Sequence, residues 1–171
     1  MGTMFDTTGD PKATFEGLKV EAVAAYGNGK PTNYPEAKAQ FPHVPVVEID
    51  VLNAGIGDAG DFEKGDMLYT EAGEWASRRI KAGVHRPIVY FQVSESAAIH
   101  QSLEAAGVKP QQVRMWTAHY TGKPHLCSSE CGFGHDANQH ADATQWGSPG
   151  YLPPPFKGRN IDVSETKPDF F

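Results

Sequence analysis

Eight short apolar runs recur along the chain, separated by helical segments or by loops rich in glycine and proline. This alternation restricts the fold more than any other feature. The strand candidates fall at residues 4–7, 21–26, 44–51, 61–63, 87–91, 113–120, 143–146 and 161–163, of which 61–63, Asp-Phe-Glu, is weak as a strand on its own merits. The third, VPVVEIDV, is apolar almost throughout, as expected of a strand buried on both faces. Helical periodicity marks residues 66–81, where Leu68, Ala72, Trp75, Ala76, Arg79 and Ile80 share a face and Asp66 is placed to cap. It also marks 94–106, with Ser94 as cap and Gly107 at the terminator position, and a short segment at 35–41. Strands alternating with helices imply a parallel sheet. About eight of them in one domain spanning residues 1–171 imply a closed β/α barrel of the TIM type. The length of 171 residues is well below the ~250 typical of such barrels. Several helices must therefore be reduced, notably between 120 and 143 and between 146 and 161.

In a parallel barrel, chemistry is done at the C-terminal strand ends, and carboxylates fall there. Asp6 closes the first run, Asp50 lies near the end of the third, Asp61 and Glu63 sit on the fourth, and Asp162 is on the last, which adjoins the first on closure. In Asp61-Phe62-Glu63 the two acids are two residues apart and would face one side of a strand, about 6.5–7 Å apart at Cα, with Phe62 pointing into the core. Like charges in one pocket raise at least one pKa. A carboxyl kept protonated near neutrality can protonate a leaving oxygen, as glycoside hydrolysis requires. By itself Asp-x-Glu is a weak signal, equally expected in a solvated turn.

Several segments, in order, resemble the family-25 glycoside hydrolases, the Chalaropsis-type lysozymes, and their shorter actinobacterial and phage relatives. They are Phe5-Asp6-Thr7-Thr8, Asp61-Phe62-Glu63-Lys64-Gly65-Asp66, Arg86-Pro87-Ile88-Val89-Tyr90, Met115-Trp116-Thr117-Ala118-His119-Tyr120, Ala143-Thr144-Gln145-Trp146 and Asn160-Ile161-Asp162-Val163-Ser164. The resemblance implies a muramidase, hydrolysing the β-1,4 bond after N-acetylmuramic acid in cell-wall peptidoglycan. It implies Glu63 as general acid, Asp61 as the group that orients or stabilises a reacting centre, and Asp6 and Asp162 lining the same site. Tyr26, Tyr90, Trp116, Tyr120 and Gln145 are the candidate substrate contacts. The chain departs from the pattern in lacking a glutamine shortly after Asp6, in the short stretch between Asp10 and Ala22, and in carrying Gln145-Trp146 in reversed order. These trimmed features leave a second expectation open, a weakly active or inactive glycan-binding or virion protein that reuses the barrel.

Composition narrows the partners. With 15 Lys and Arg against 21 Asp and Glu, the formal charge is −6, and no basic cluster marks a nucleic-acid footprint. No apolar run approaches the ~20 residues of a membrane span. Residues 1–10 are polar and lack a signal core. The expectation is no Sec-type signal in this chain, with access to the wall through a bacteriophage virion or host lysis. No dinucleotide fingerprint or nucleophile elbow occurs, so no cofactor is expected.

Cys127 and Cys131 close a short loop, which favours a disulfide between them. Zinc is a rival, since His119, His125, His135 and His140 lie nearby, but the spacing matches no established zinc pattern, so no metal is expected. His119 and His125 are otherwise ordinary, partly exposed histidines. Glu48, in a buried strand, needs a cation, and Arg86 or Lys19 could supply it.

Overall fold

The computed structural model, which describes residues 1–134 and 139–171, is a closed barrel of eight strands in sequential order. The strands are β1 (Gly2–Asp6), β2 (Ala22–Tyr26), β3 (Val46–Asp50), β4 (Ala59–Asp61), β5 (Ile88–Gln92), β6 (Arg114–Ala118), β7 (Ala143–Gly147) and β8 (Asp162–Thr166). The helices are α1 (Pro11–Thr14), α2 (Tyr34–Gln40), α3 (Ala72–Lys81) and α4 (Ser96–Ala105). All eight strand expectations and the three expected helices are met, with shifted ends.

One expectation about direction is corrected. Neighbours from β1 to β7 pair in parallel, but β8 runs antiparallel to both β7 and β1. A reversed strand needs only a loop to reach it, whereas a parallel one needs a crossover of a dozen or more residues. This is one way so short a chain closes the ring. It also puts the first residue of β8, Asp162, at the same mouth as the last residue of β1, with Asp6 and Asp162 in register.

The barrel interior alternates small and large side chains. Ala22, Ala24, Ala59, Ala118 and Ala143 leave room for Met4, Ile49, Ile88 and Trp116, and Phe170 of the C-terminal tail packs into the same cluster. Two outer layers cover the wall. Phe62, Trp75, Ile99 and Leu103 bury α3 and α4 against Val89, Phe91 and Met115. Phe5, Phe15, Val23, Trp146 and Val163 form the layer beneath α1 and α2. Trp75 and Trp146 are thus core, and Phe62 points outward against Trp75 with ring centroids 5.8 Å apart.

The helix expected from Asp66 begins instead at Ala72, after a 3-10 turn at Tyr69–Glu71. Gly65, at φ 111, breaks the chain direction, and Met67 N–H donates back to the Asp61 carbonyl at 3.2 Å. The α4 terminus is as the sequence predicts. Gly107 is left-handed at φ 69, and Val108 N–H reaches the Leu103 carbonyl at 2.9 Å, a Schellman closure. Between β6 and β7 the described residues hold no α-helix, only a 3-10 turn at Ser129–Cys131. No helix among the described residues is long and apolar enough to cross a membrane.

Candidate active site

The pleat decides which side chains reach the mouth. On each strand, residues two apart share a face, so the interior faces of β1, β2, β4 and β5 end in Asp6, Tyr26, Asp61 and Gln92. β7 contributes Gln145, and reversed β8 contributes Asp162. Tyr90 lies one layer below Gln92, in register with Asp61 on one side and Trp116 on the other. Glu63 is one residue beyond the end of the ladder, where Phe62 N–H still pairs with the Tyr90 carbonyl at 2.9 Å. It is therefore carried by the turn that follows β4 and not by the strand, contrary to the simple two-residue alternation. The turn is held by Asp66 N–H donating to the Glu63 carbonyl at 3.1 Å.

Asp6, Asp61, Glu63 and Asp162 converge, as the sequence predicts. Asp6 and Asp61 are each 4 % exposed, while Glu63 and Asp162 are half-buried. Gln92 Nε2 donates to Glu63 Oε1 at 2.6 Å. The Tyr90 hydroxyl donates to Gln145 Oε1 at 2.5 Å. The Gln145 side chain in turn hydrogen-bonds Asp162, and Asp6 hydrogen-bonds Asp162 as well. Two buried carboxyl oxygens, Asp6 Oδ2 and Asp61 Oδ1, have no protein partner. Buried polar atoms are ordinarily satisfied, so orphans aimed into a mouth mark a place where water or ligand completes the bonding.

Every acid in the cluster is shifted toward its protonated form. Burial, then the Asp162 charge and hydrogen bond, hold Asp6 well above the usual carboxylate range, with Asp61 and Glu63 adding to it. Burial and then Glu63 raise Asp61 strongly. Burial raises Glu63 against the opposing hydrogen bonds of Gln92 and Tyr90. Burial lifts Asp162 to about 6, tempered by hydrogen bonds from Gln145 and Asp6. The phenol of Tyr120 is pushed to about 12 by burial and stays a donor. Burial raises Tyr26 further, and the four carboxylates add to it. A carboxyl raised in this way is better placed to donate a proton to a bound oxygen.

Eight of the nine sequence-derived site residues meet here: Glu63, Asp61, Asp6, Asp162, Tyr26, Tyr90, Tyr120 and Gln145. Trp116 does not line the mouth. It is 1 % exposed, its ring lies 4.5 Å from that of Tyr90, and its indole N–H donates to Ser164 Oγ at 3.0 Å inside the barrel. It packs beside Tyr90 inside the barrel.

Three contributors escaped the sequence reading. Gln92 carried a legible signal, lying two residues past Tyr90 on the same face. Tyr151, from the loop between β7 and β8, is 58 % exposed and stacks on Tyr120 with ring centroids 6.1 Å apart and an interplanar angle of 20°. Asn33 donates to the Thr7 and Gly9 carbonyls and accepts from Tyr26 N–H, which fixes the chain just after Asp6 against the end of β2.

Two other acids are resolved. Asp50 is fully buried and serves structure, accepting from Asn28, from Trp75 Nε1 and from the backbone N–H groups of Leu52, Ala54, Gly55 and Ile56. Burial would raise it, but these bonds hold it below its ordinary value. Glu48 finds neither expected cation. Lys19 pairs with Glu21, Arg86 lies by Asp142 and Asp169, and Arg79 is the positive charge that acts on Glu48.

The expected disulfide is also corrected. Cys127 and Cys131 are free thiols, and their sulfurs gather with the His119 and His125 rings, all four ligand atoms within 4.8 Å of one another. His135 lies outside the described residues.

No protein-family model matches this chain, and no curated protein matches it. Among solved structures it is similar to the 1.07 Å crystal structure of an uncharacterized B. stearothermophilus protein, with a TM-score of 0.61 over 97 % of this chain and 96 % of that one, at 10 % identity. The likeness supports the barrel fold from end to end. A cleft of about 290 Å³ lined by Val46, Ile88, Arg114 and Phe170 opens at the opposite end of the barrel, away from the carboxyls.

Proposed function

We propose that the protein is a glycoside hydrolase of lysozyme type, cleaving the β-1,4 bond after N-acetylmuramic acid in peptidoglycan. The observation that carries this is the convergence of four carboxyls whose burial raises them above the ordinary carboxylate range, two of them with orphan oxygens, at the mouth of the barrel. Glu63 is the general acid. It is the half-buried carboxyl on the turn, its Oε1 is fixed by Gln92, and its burial keeps the proton that the leaving glycosidic oxygen must receive. As the C–O bond breaks, positive charge develops at the anomeric carbon. Asp61, in its ionised form, stabilises that charge directly or through the neighbouring N-acetyl group, and a water then adds to the anomeric carbon and returns its proton to Glu63. Asp6 and Asp162 hydrogen-bond each other and bind sugar hydroxyls. Tyr120 and Tyr151 offer a stacked aromatic platform beside the acids, the surface on which a sugar ring buries its apolar face.

Purified peptidoglycan treated with the protein should yield soluble fragments with new N-acetylmuramic acid reducing ends, and Glu63→Gln should abolish them while leaving the fold intact. If folded wild type releases none but binds the glycan, the barrel is a glycan-binding or virion component and the hydrolase reading is wrong.

A further inference from the structure

Outside the barrel wall, past the end of β6, four side chains meet that the hydrolytic chemistry does not use. His119 Nδ1 is 3.0 Å from His125 Nε2, Cys127 Sγ is 3.5 Å from His119 Nδ1 and 3.7 Å from His125 Nε2, and with Cys131 all four ligand atoms lie within 4.8 Å of one another. Around a tetrahedral zinc ion, bond lengths of about 2.05 Å to nitrogen and 2.3 Å to sulfur place ligand atoms about 3.3 Å (N to N), 3.6 Å (N to S) and 3.8 Å (S to S) apart. The three distances among His119, His125 and Cys127 are close to that pattern, and the two cysteines are not joined as a disulfide.

The supporting bonds point the same way. His125 Nδ1 faces the Lys123 carbonyl at 2.9 Å. A carbonyl only accepts, so Nδ1 carries the proton and the Nε2 lone pair faces the cluster. This is how outer partners orient a metal-binding histidine. Cys127 is anchored to the wall, its N–H donating to Thr144 Oγ1 at 2.8 Å. Cys131 is presented by the 3-10 turn capped by Ser128 and terminated by left-handed Gly132. His119 is tied to β7 through its N–H and the Gln145 carbonyl at 2.9 Å.

We propose that His119, His125, Cys127 and Cys131 bind one zinc ion in a closed, structural site. All four positions are filled by protein, which leaves none open for catalysis. The site's place in the fold gives it a purpose. Among its described residues the segment between β6 and β7 holds no α-helix to cover the wall, yet it supplies Cys127, Phe133 and Ala141 to the outer core. A connection of that length is uncommon in a compact domain, and a small domain gains from a metal staple. The ion also fixes the residue before Tyr120, and so steadies the aromatic side of the mouth.

The test is metal content and cobalt spectroscopy on the full chain, purified reduced and without chelator. The expected results are one zinc per chain by elemental analysis, and, after exchange, a Co²⁺ spectrum with tetrahedral bands and thiolate charge transfer. Cys131→Ser and His125→Ala, both at sites outside the barrel core, should lose at least about 100-fold in Zn²⁺ affinity while retaining the far-ultraviolet dichroism of wild type. An intact mass two hydrogens lower in the native protein would overturn the proposal, since it would mean a disulfide. So would folded, reduced protein that takes up no Co²⁺, or Co²⁺ binding that Cys131→Ser leaves unchanged. None of these readouts depends on glycan hydrolysis.

Discussion

Asp162 illustrates what the mouth costs the fold. Its carboxyl ordinarily titrates at 3.8 and is lifted to about 6, chiefly by burial. A carboxyl raised on folding is no burden while protonated in both states, below the unfolded value. It destabilises progressively as pH rises from about 4 to 6, and fully above that. A rise of about two pH units at ~1.4 kcal/mol each is worth about 3 kcal/mol. Solvent at the half-buried mouth and the loss of one acceptor for Gln145 or Asp6 reduce what a substitution recovers to about 1–2 kcal/mol. Asp162→Asn should therefore be more stable than wild type at pH 8 by about that amount, with the gap closing near pH 4 as Asp162 of wild type takes up its proton. Urea unfolding of both proteins at several pH values measures this directly, from midpoints at constant slope. A gap that is independent of pH, or a variant less stable than wild type at pH 8, would refute the claim that the mouth holds Asp162 against its charge.

Three further outcomes follow from single contacts. Gln92→Leu removes the donor that lowers Glu63, so the basic limb of the pH–rate profile should move to higher pH, measured as kcat/KM against pH. Trp116→Phe strips Ser164 Oγ of its buried donor and should cost about 1–2 kcal/mol in chemical unfolding while leaving KM unchanged, because the indole packs beside Tyr90 inside the barrel without lining the mouth. Gly73→Ala puts a Cβ 2.0 Å from the Ser102 carbonyl oxygen, where α3 and α4 cross. It should destabilise by about 3 kcal/mol, read as a lowered thermal midpoint; an unchanged midpoint would mean the helices separate at no cost.

The fold was legible because strand periodicity is a local property of side chains. The run at 44–51 and the turn residues around the others located every strand. Strand direction was not legible. Nothing in 161–163 distinguishes a parallel from an antiparallel final strand, since that depends on how the preceding loop returns. Asp6 and Asp61 could be placed because they end strands, whereas Asp162 begins β8 and reaches the mouth beside Asp6 only because that strand is reversed. Glu63 was expected on a strand and lies on a turn, because β4 ends at Asp61, two residues early, and the chain folds back through Gly65. Trp116 was misjudged because position along a strand does not tell a mouth residue from the layer below it. Tyr151 came from a proline-rich loop with no periodicity to read. The cysteine cluster was misjudged because sequence spacing alone says nothing about two histidines folding back over the same turn.

The central claim is that Glu63 delivers a proton to a glycosidic oxygen at this mouth. The most direct test is clearing of a peptidoglycan suspension by wild type and by Glu63→Gln, followed from about pH 4 to 8. The account predicts clearing by wild type that falls away as Glu63 loses its proton at high pH, and none at any pH from the equally folded variant. Clearing by both proteins alike would contradict it.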